Sequence, residues 1–133
     1  MSRDGTERDA PGTGLAQSVL REIAGHLDAL ARGGEAAAID LRSLPMTVAD
    51  RGELESRLGR GEVSVKLELG GASELWETRY SGVWWVRHKG DDDRVASERI
   101  EITAIPEILK SQEEDVAAAA ARIREEVYRH GHE

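Results

Sequence analysis

Apolar residues recur along the chain at two periods, one of three to four residues and one of two, and these divide it into helices and strands. Leu20, Ile23, Leu27 and Leu30 stand three or four apart, on one face of a helix over residues 15–31. Gly33 and Gly34 follow where that helix is expected to stop. "AAAIDLRSLP" alternates around Ile39 and Leu41 and reads as a short strand ended by Pro45. Thr47 with Asp50, or Asp50 with Glu53, caps a short helix that carries Leu54 and Leu58 and ends at Gly59. In "GEVSVKLEL", residues 61–69, Val63, Val65, Leu67 and Leu69 share one face, while Glu62, Ser64, Lys66 and Glu68 take the other. Gly70 and Gly71 then suit a hairpin turn. Residues 74–80 and 82–89 read as one strand interrupted at Ser81 and Gly82, or as two joined by a tight turn. "KGDDD" is a solvated loop, and residues 94–104 form a further strand with Ile100, Ile102 and Ala104 on one face. Pro106 opens a turn, and Ser111 with Glu114 makes a capping box for a last helix whose apolar seam is Val116, Ile123 and Val127.

The stretch "ETRYSGVWWV", residues 77–86, sets Trp84 beside Trp85. Consecutive side chains of a strand point to opposite faces, so Val83 and Trp85 face one way and Trp84 and Val86 the other. Trp76 and Tyr80 share a face of the preceding run. Three helices of modest length cover one face of such a sheet and hardly both. The pattern therefore predicts an α+β domain: an antiparallel sheet of four to five strands with about three helices packed on one face. One Trp is expected in the core and its neighbour in a second interface, since Trp and Tyr often anchor protein contacts; the alternative is a central strand covered on both faces, with both rings buried within a monomer. A homodimer covering that face is compatible with the pattern.

A chain of 133 residues suits one domain with a single core. That core must be mostly aliphatic, because Phe is absent and Trp76, Trp84, Trp85, Tyr80 and Tyr128 are the aromatic residues. The formal charge of −8 argues against nucleic acid and anionic membranes, which are held by clustered Lys and Arg. The absence of Cys excludes disulfides, thiolate catalysis and Cys-ligated metal centres. No apolar run approaches the ~20 residues of a spanning helix. Residues 1–13, polar and Gly-rich, read as a flexible leader without a secretory signal, and residues 14–133 as a single domain of a cytoplasmic protein.

Candidate chemistry is sparse. His130 and His132 form an H-x-H pair at the chain end, where nothing fixes a ligand geometry. His26 reads as a surface residue, and His88 shares the face of Trp84. "GTGLAQ" and "GRGEVS" hold turn glycines rather than a dinucleotide fingerprint. Asp91, Asp92 and Asp93 lack the spacing of calcium ligands. The run of five Ala at 117–121 permits close helix packing or part of an oligomer face. No nucleophile–base set, metal site or cofactor motif emerges.

Three segments in register, "LGRGEVSVKLE" (58–68), "ETRYSGVWWVRH" (77–88) and "ERIEITAIPEILKSQEEDV" (98–116), resemble the hydrogenase expression/formation family HupH/HyaF, specifically its C-terminal domain. The likeness runs from about Leu41, through "LPMT" at 44–47, to the end of the last helix. Longer members carry an extra N-terminal region, where this chain has one helix and a leader. The resemblance implies a non-catalytic accessory factor for maturation of nickel–iron hydrogenase. Its partners would be a hydrogenase subunit precursor, the iron–sulfur small subunit, or other maturation proteins. The family offers no catalytic residues to carry over. Glu62, Glu77, Thr78, Gly82, Val83, Trp84, Pro106 and Ile108 match its recurring motifs. The interaction-surface candidates are thus Glu62, Glu77, Thr78, Tyr80, Trp84, Trp85 and His88, with Gly82 and Pro106 as structural positions. The rival reading is a small-ligand or enzymatic module using acidic residues near Glu77, with Thr78 and His88, in a sheet-edge cleft. A deep pocket around a carboxylate of raised pKa would mark it.

Overall fold

The structure, a computed structural model, describes residues 11–68 and 71–131. Helix α1 (Leu15–Ala31) precedes strand β1 (Ala37–Asp40) and a 3₁₀ turn, Leu41–Ser43. Helix α2 (Val48–Leu58) leads into β2 (Ser64–Glu68), β3 (Ala72–Glu77), β4 (Val83–Lys89) and β5 (Val95–Ile102). A second 3₁₀ turn, Glu107–Leu109, connects to helix α3 (Glu113–His130). The strands form one antiparallel sheet in the order β1-β5-β4-β3-β2. This is the α+β architecture the periodicity predicts. Leu69, Gly70 and His132 lie outside the described residues, as do residues 1–10 of the expected leader.

Register decides the core. Ile39 pairs with Ile100, Ile100 with Trp85 and Trp85 with Trp76, so one row of large apolar side chains crosses four strands on the same face. Val83 and Ile102 extend it, and Ala16, Val19 and Ile23 of α1 with Leu54 and Leu58 of α2 close over it. The other face carries a smaller cluster of Leu75, Trp84 and Val86, joined by half-buried Val65, Leu67 and Leu109.

Two expectations are corrected here. Trp84 and Trp85 are both buried, at 5% and 0% exposure, so neither ring is left for a second interface. Segment 103–109 supplies the cover: after β5 it turns back, Leu109 packs beside Trp84, and the Trp84 indole N–H donates to the Thr103 carbonyl at 3.1 Å. The count of helices missed this because the covering segment is a turn. The third helix, expected on the sheet, instead has every residue exposed, Ile123 at 64%. It begins after Gln112 with no side-chain cap, so the Ser111–Glu114 capping box does not form.

The α2 cap does form. The Thr47 hydroxyl accepts from the Asp50 amide, and Asp50 accepts from the Thr47 amide. Asp50, fully buried, also accepts from the amide and hydroxyl of Thr13, each at 2.7 Å. One carboxylate thus starts α2 and fastens the approach to α1, tying Thr13 of the expected leader to the domain.

Candidate functional site

The sequence-derived candidates do not converge. Thr78, 2% exposed, shapes the β3–β4 turn: its hydroxyl accepts from the Tyr80 amide at 3.1 Å, and its own amide donates to the Val83 carbonyl. Glu77 ends β3 and accepts weakly from the Gly82 amide at 3.4 Å. Gly82 itself has φ +91°, and a Cβ there would press on Leu27 at 3.3 Å, so its role is conformational. Glu62 is exposed beside β2, and Pro106 is buried ahead of the second 3₁₀ turn. His88 stands near the far end of β4, its Nδ1 2.5 Å from the Ser73 hydroxyl. Ser73 and Glu77 are four residues apart on β3, so His88 and Glu77 are separated by about 13 Å of strand. Among the described residues, no His, Asp and Glu side chains gather into a set of metal ligands.

A buried charged cluster occupies the helix-side face next to the core. Glu98, 1% exposed, accepts from the Trp85 indole at 2.7 Å, from Arg87 Nε at 2.9 Å and from Arg51 of α2. Burial alone would raise its pKa. The Trp85, Arg51 and Arg87 donors outweigh that and hold it below the ordinary value. A carboxylate kept ionised and saturated with donors has no proton to give and little basicity, so its work is to fix α2 against β4 and β5. Trp76 stacks on Trp85 with centroids 5.7 Å apart, and the Arg60 guanidinium lies 3.7 Å from the Trp76 ring centroid. The Trp76 indole N–H is buried without an acceptor among the described residues. Sequence reading missed this cluster. The signal was Glu98 itself, in phase with Ile100 and Ile102 on an inward-facing row.

One exposed feature draws on both helices. An apolar groove of about 520 Å³ runs between α1, α2 and the β3–β4 turn, within the usual range for binding sites. Leu20, Ile23, Ala24, Leu27 and Ala31 form its α1 wall, Leu58 its floor, and Tyr80, 52% exposed, its lip; Asp28 and Arg57 stand on the rim. Its walls are fixed because Val19 and Ile23 are anchored in the core while Gly82 lets the turn close against Leu27. Tyr80 is therefore the sequence-derived candidate that lines an exposed groove. The α1 residues were overlooked, although Ala24 and Ala31 widen the apolar stripe beyond what one sheet contact uses.

Residues 15–129 match the C-terminal conserved region of the HupH hydrogenase expression protein. The hydrogenase expression/formation protein HoxQ of Azotobacter vinelandii is 34% identical over 115 residues, which cover 83% of this chain and 40% of HoxQ. The hydrogenase expression/formation protein HupH of Rhodobacter capsulatus is 34% identical over 93 residues, covering 70% of this chain and 34% of that protein. The solved structure of hydrogenase expression protein HupH from Thiobacillus denitrificans ATCC 25259 superposes with a TM-score of 0.83 at 45% identity, covering 88% of this chain and 98% of that one. The chain spans 40% or less of the length of these curated relatives. It belongs to the HupH hydrogenase expression protein family and carries that family's C-terminal conserved region.

Proposed function

We propose that this chain is a non-catalytic accessory factor in maturation of a nickel–iron hydrogenase, and that it holds the small-subunit precursor in the groove between α1, α2 and Tyr80. The observation that carries the reading is an exposed apolar groove on a rigid frame in a chain whose relatives are named for hydrogenase expression and formation. A large tyrosine at the lip, aliphatic walls and two rim charges of opposite sign are features that suit an unfolded or partly folded polypeptide. Residues 14–133 act as one unit in this reading, in the cytoplasm, where a hydrogenase precursor is made. No described helix is long and apolar enough to cross a membrane.

The test is anaerobic co-purification from cells that produce the hydrogenase, comparing wild type with Ala24→Glu and Tyr80→Ala. Both positions are exposed, so the substitutions leave the core intact. Recovery of the small-subunit precursor with wild type, and its loss with either variant, is the expected result. Equal recovery with all three proteins would remove the groove from the account.

A further inference from the structure

The apolar seam of α3, Val116, Ile123 and Val127, packs on no other element among the described residues. Val116, Ile123 and Val127 are 55%, 64% and 58% exposed; Val116 and Ile123 border one open patch with Ala119, Ala120, Arg122 and Glu126. The seam positions 116, 120, 123 and 127 are spaced four, three and four apart, so the pattern reads the same from either end about a point between Ala121 and Arg122. Charge inverts about the same point: Glu113, Glu114 and Asp115 fill the first turn and Arg129 and His130 the last. The α1 seam, Leu20, Ile23, Leu27 and Leu30, has a similarly symmetric spacing but packs within the fold; the α3 seam does not.

We propose that α3 pairs with α3 of a second copy of this chain, antiparallel, about a two-fold axis at that midpoint. Val116 then meets the second copy's Val127 and Ala120 meets its Ile123, the alternation of positions found where antiparallel helices interlock. Each acidic first turn lies beside a basic last turn, whereas a parallel pair would set acid against acid and base against base. Two-fold pairing uses one surface twice, and the 116/120/123/127 spacing together with the opposite charges of the two ends makes this surface self-complementary. Arg129 and His130 already reach Glu125 and Glu126 of their own helix at 3.8 and 3.2 Å. Those contacts are solvent-exposed and exchange readily for contacts across the pair. An 18-residue helix is about 27 Å long, and two of them form an interface at the small end of specific contacts. A pairing of that size makes a weak, reversible dimer. This inference rests on α3 alone and is independent of the groove and of any hydrogenase partner.

Sedimentation equilibrium of the purified chain is the first test, with Ile123→Glu as the variant. All three Trp residues lie in the sheet, so their fluorescence reports the core independently of α3. The expected result is a monomer–dimer equilibrium for wild type and at least a ~tenfold weaker one for Ile123→Glu with unchanged Trp emission. Orientation is read by cross-linking, since the chain has no Cys of its own. Under oxidation, Val116→Cys mixed with Val127→Cys should form a disulfide dimer, and Val116→Cys alone should not. A strictly monomeric wild type, a dimer indifferent to Ile123→Glu, or efficient self-cross-linking of Val116→Cys would each overturn the proposal. The first of these would leave the seam to a different polypeptide.

Discussion

Trp76, Trp84 and Trp85 look alike in the sequence and differ in what they hold. Trp85 is in contact with both chemistries of the helix-side face, stacked on Trp76 and donating to Glu98. Trp84 seals the opposite face and binds the Thr103 carbonyl. Truncating either ring to Ala should cost about 3–5 kcal/mol, measured by urea denaturation. A Trp84→Ala protein as stable as wild type would mean that the 103–109 segment does not close over that ring. Phe substitutions separate the indoles further. Trp85→Phe strips a donor from buried Glu98, whereas Trp76→Phe removes an N–H that has no acceptor among the described residues. Trp85→Phe should therefore be the more destabilising by about 1–2 kcal/mol, and the reverse order would contradict the assigned bonds. That both faces of β4 are apolar was legible in the sequence. What covers the second face was not, because a non-periodic turn leaves no pattern to read.

Among the elements, α2 shows how much a cap can do beyond its own helix. Its Asp50 has a pKa lowered from 3.8 to about 2, first by the Thr47 amide, against the opposing effect of burial, and then by the amide and hydroxyl of Thr13. A depressed carboxylate contributes stability in full above its unfolded value and loses it as pH falls through the folded one. Asp50→Asn should thus be clearly less stable than wild type at pH 7, with the gap closing between about pH 4 and pH 2 as the wild-type carboxyl takes up its proton. Denaturant titrations across that range measure it, and a gap that stayed constant down to pH 2 would show that the charge is not what matters. The Thr47–Asp50 box was visible in the sequence because a capping box is local; the bond from Thr13, 37 residues away, was not. The third helix shows the opposite failure. Its seam was read correctly as apolar, but periodicity states only that a face wants cover and not whether the same chain supplies it.

For the whole molecule, strand order places the groove proposed as the binding surface. A sheet ordered β1-β5-β4-β3-β2 puts β4 at its centre, α1 and α2 over one face and the β3–β4 turn at the end of that layer. Tyr80 stands on that turn and α1 runs past it, which creates the groove. The resemblance had marked the turn through Glu77, Thr78 and Gly82, yet the structure uses these to shape the backbone and leaves Tyr80 and Ala24 exposed. The motif residues thus lie at the turn that borders the groove, while the side chains exposed in it are ones the motif does not single out, Ala24 among them. Stability and recognition should separate accordingly. Glu98→Gln, in the charged cluster below the helices, should cost about 2–4 kcal/mol in denaturant titrations, since Arg51 and Arg87 lose their shared counter-charge. Ala24→Glu should leave stability within about 0.5 kcal/mol of wild type, since it changes an exposed side chain outside the core.

The central claim is that the groove holds a hydrogenase precursor. Anaerobic titration calorimetry of the purified chain with the purified small-subunit precursor tests it most directly. The account predicts saturable binding by wild type and at least a ~tenfold loss of affinity for Ala24→Glu. Absence of heat change at accessible concentrations, or equal affinity for the two proteins, would contradict it.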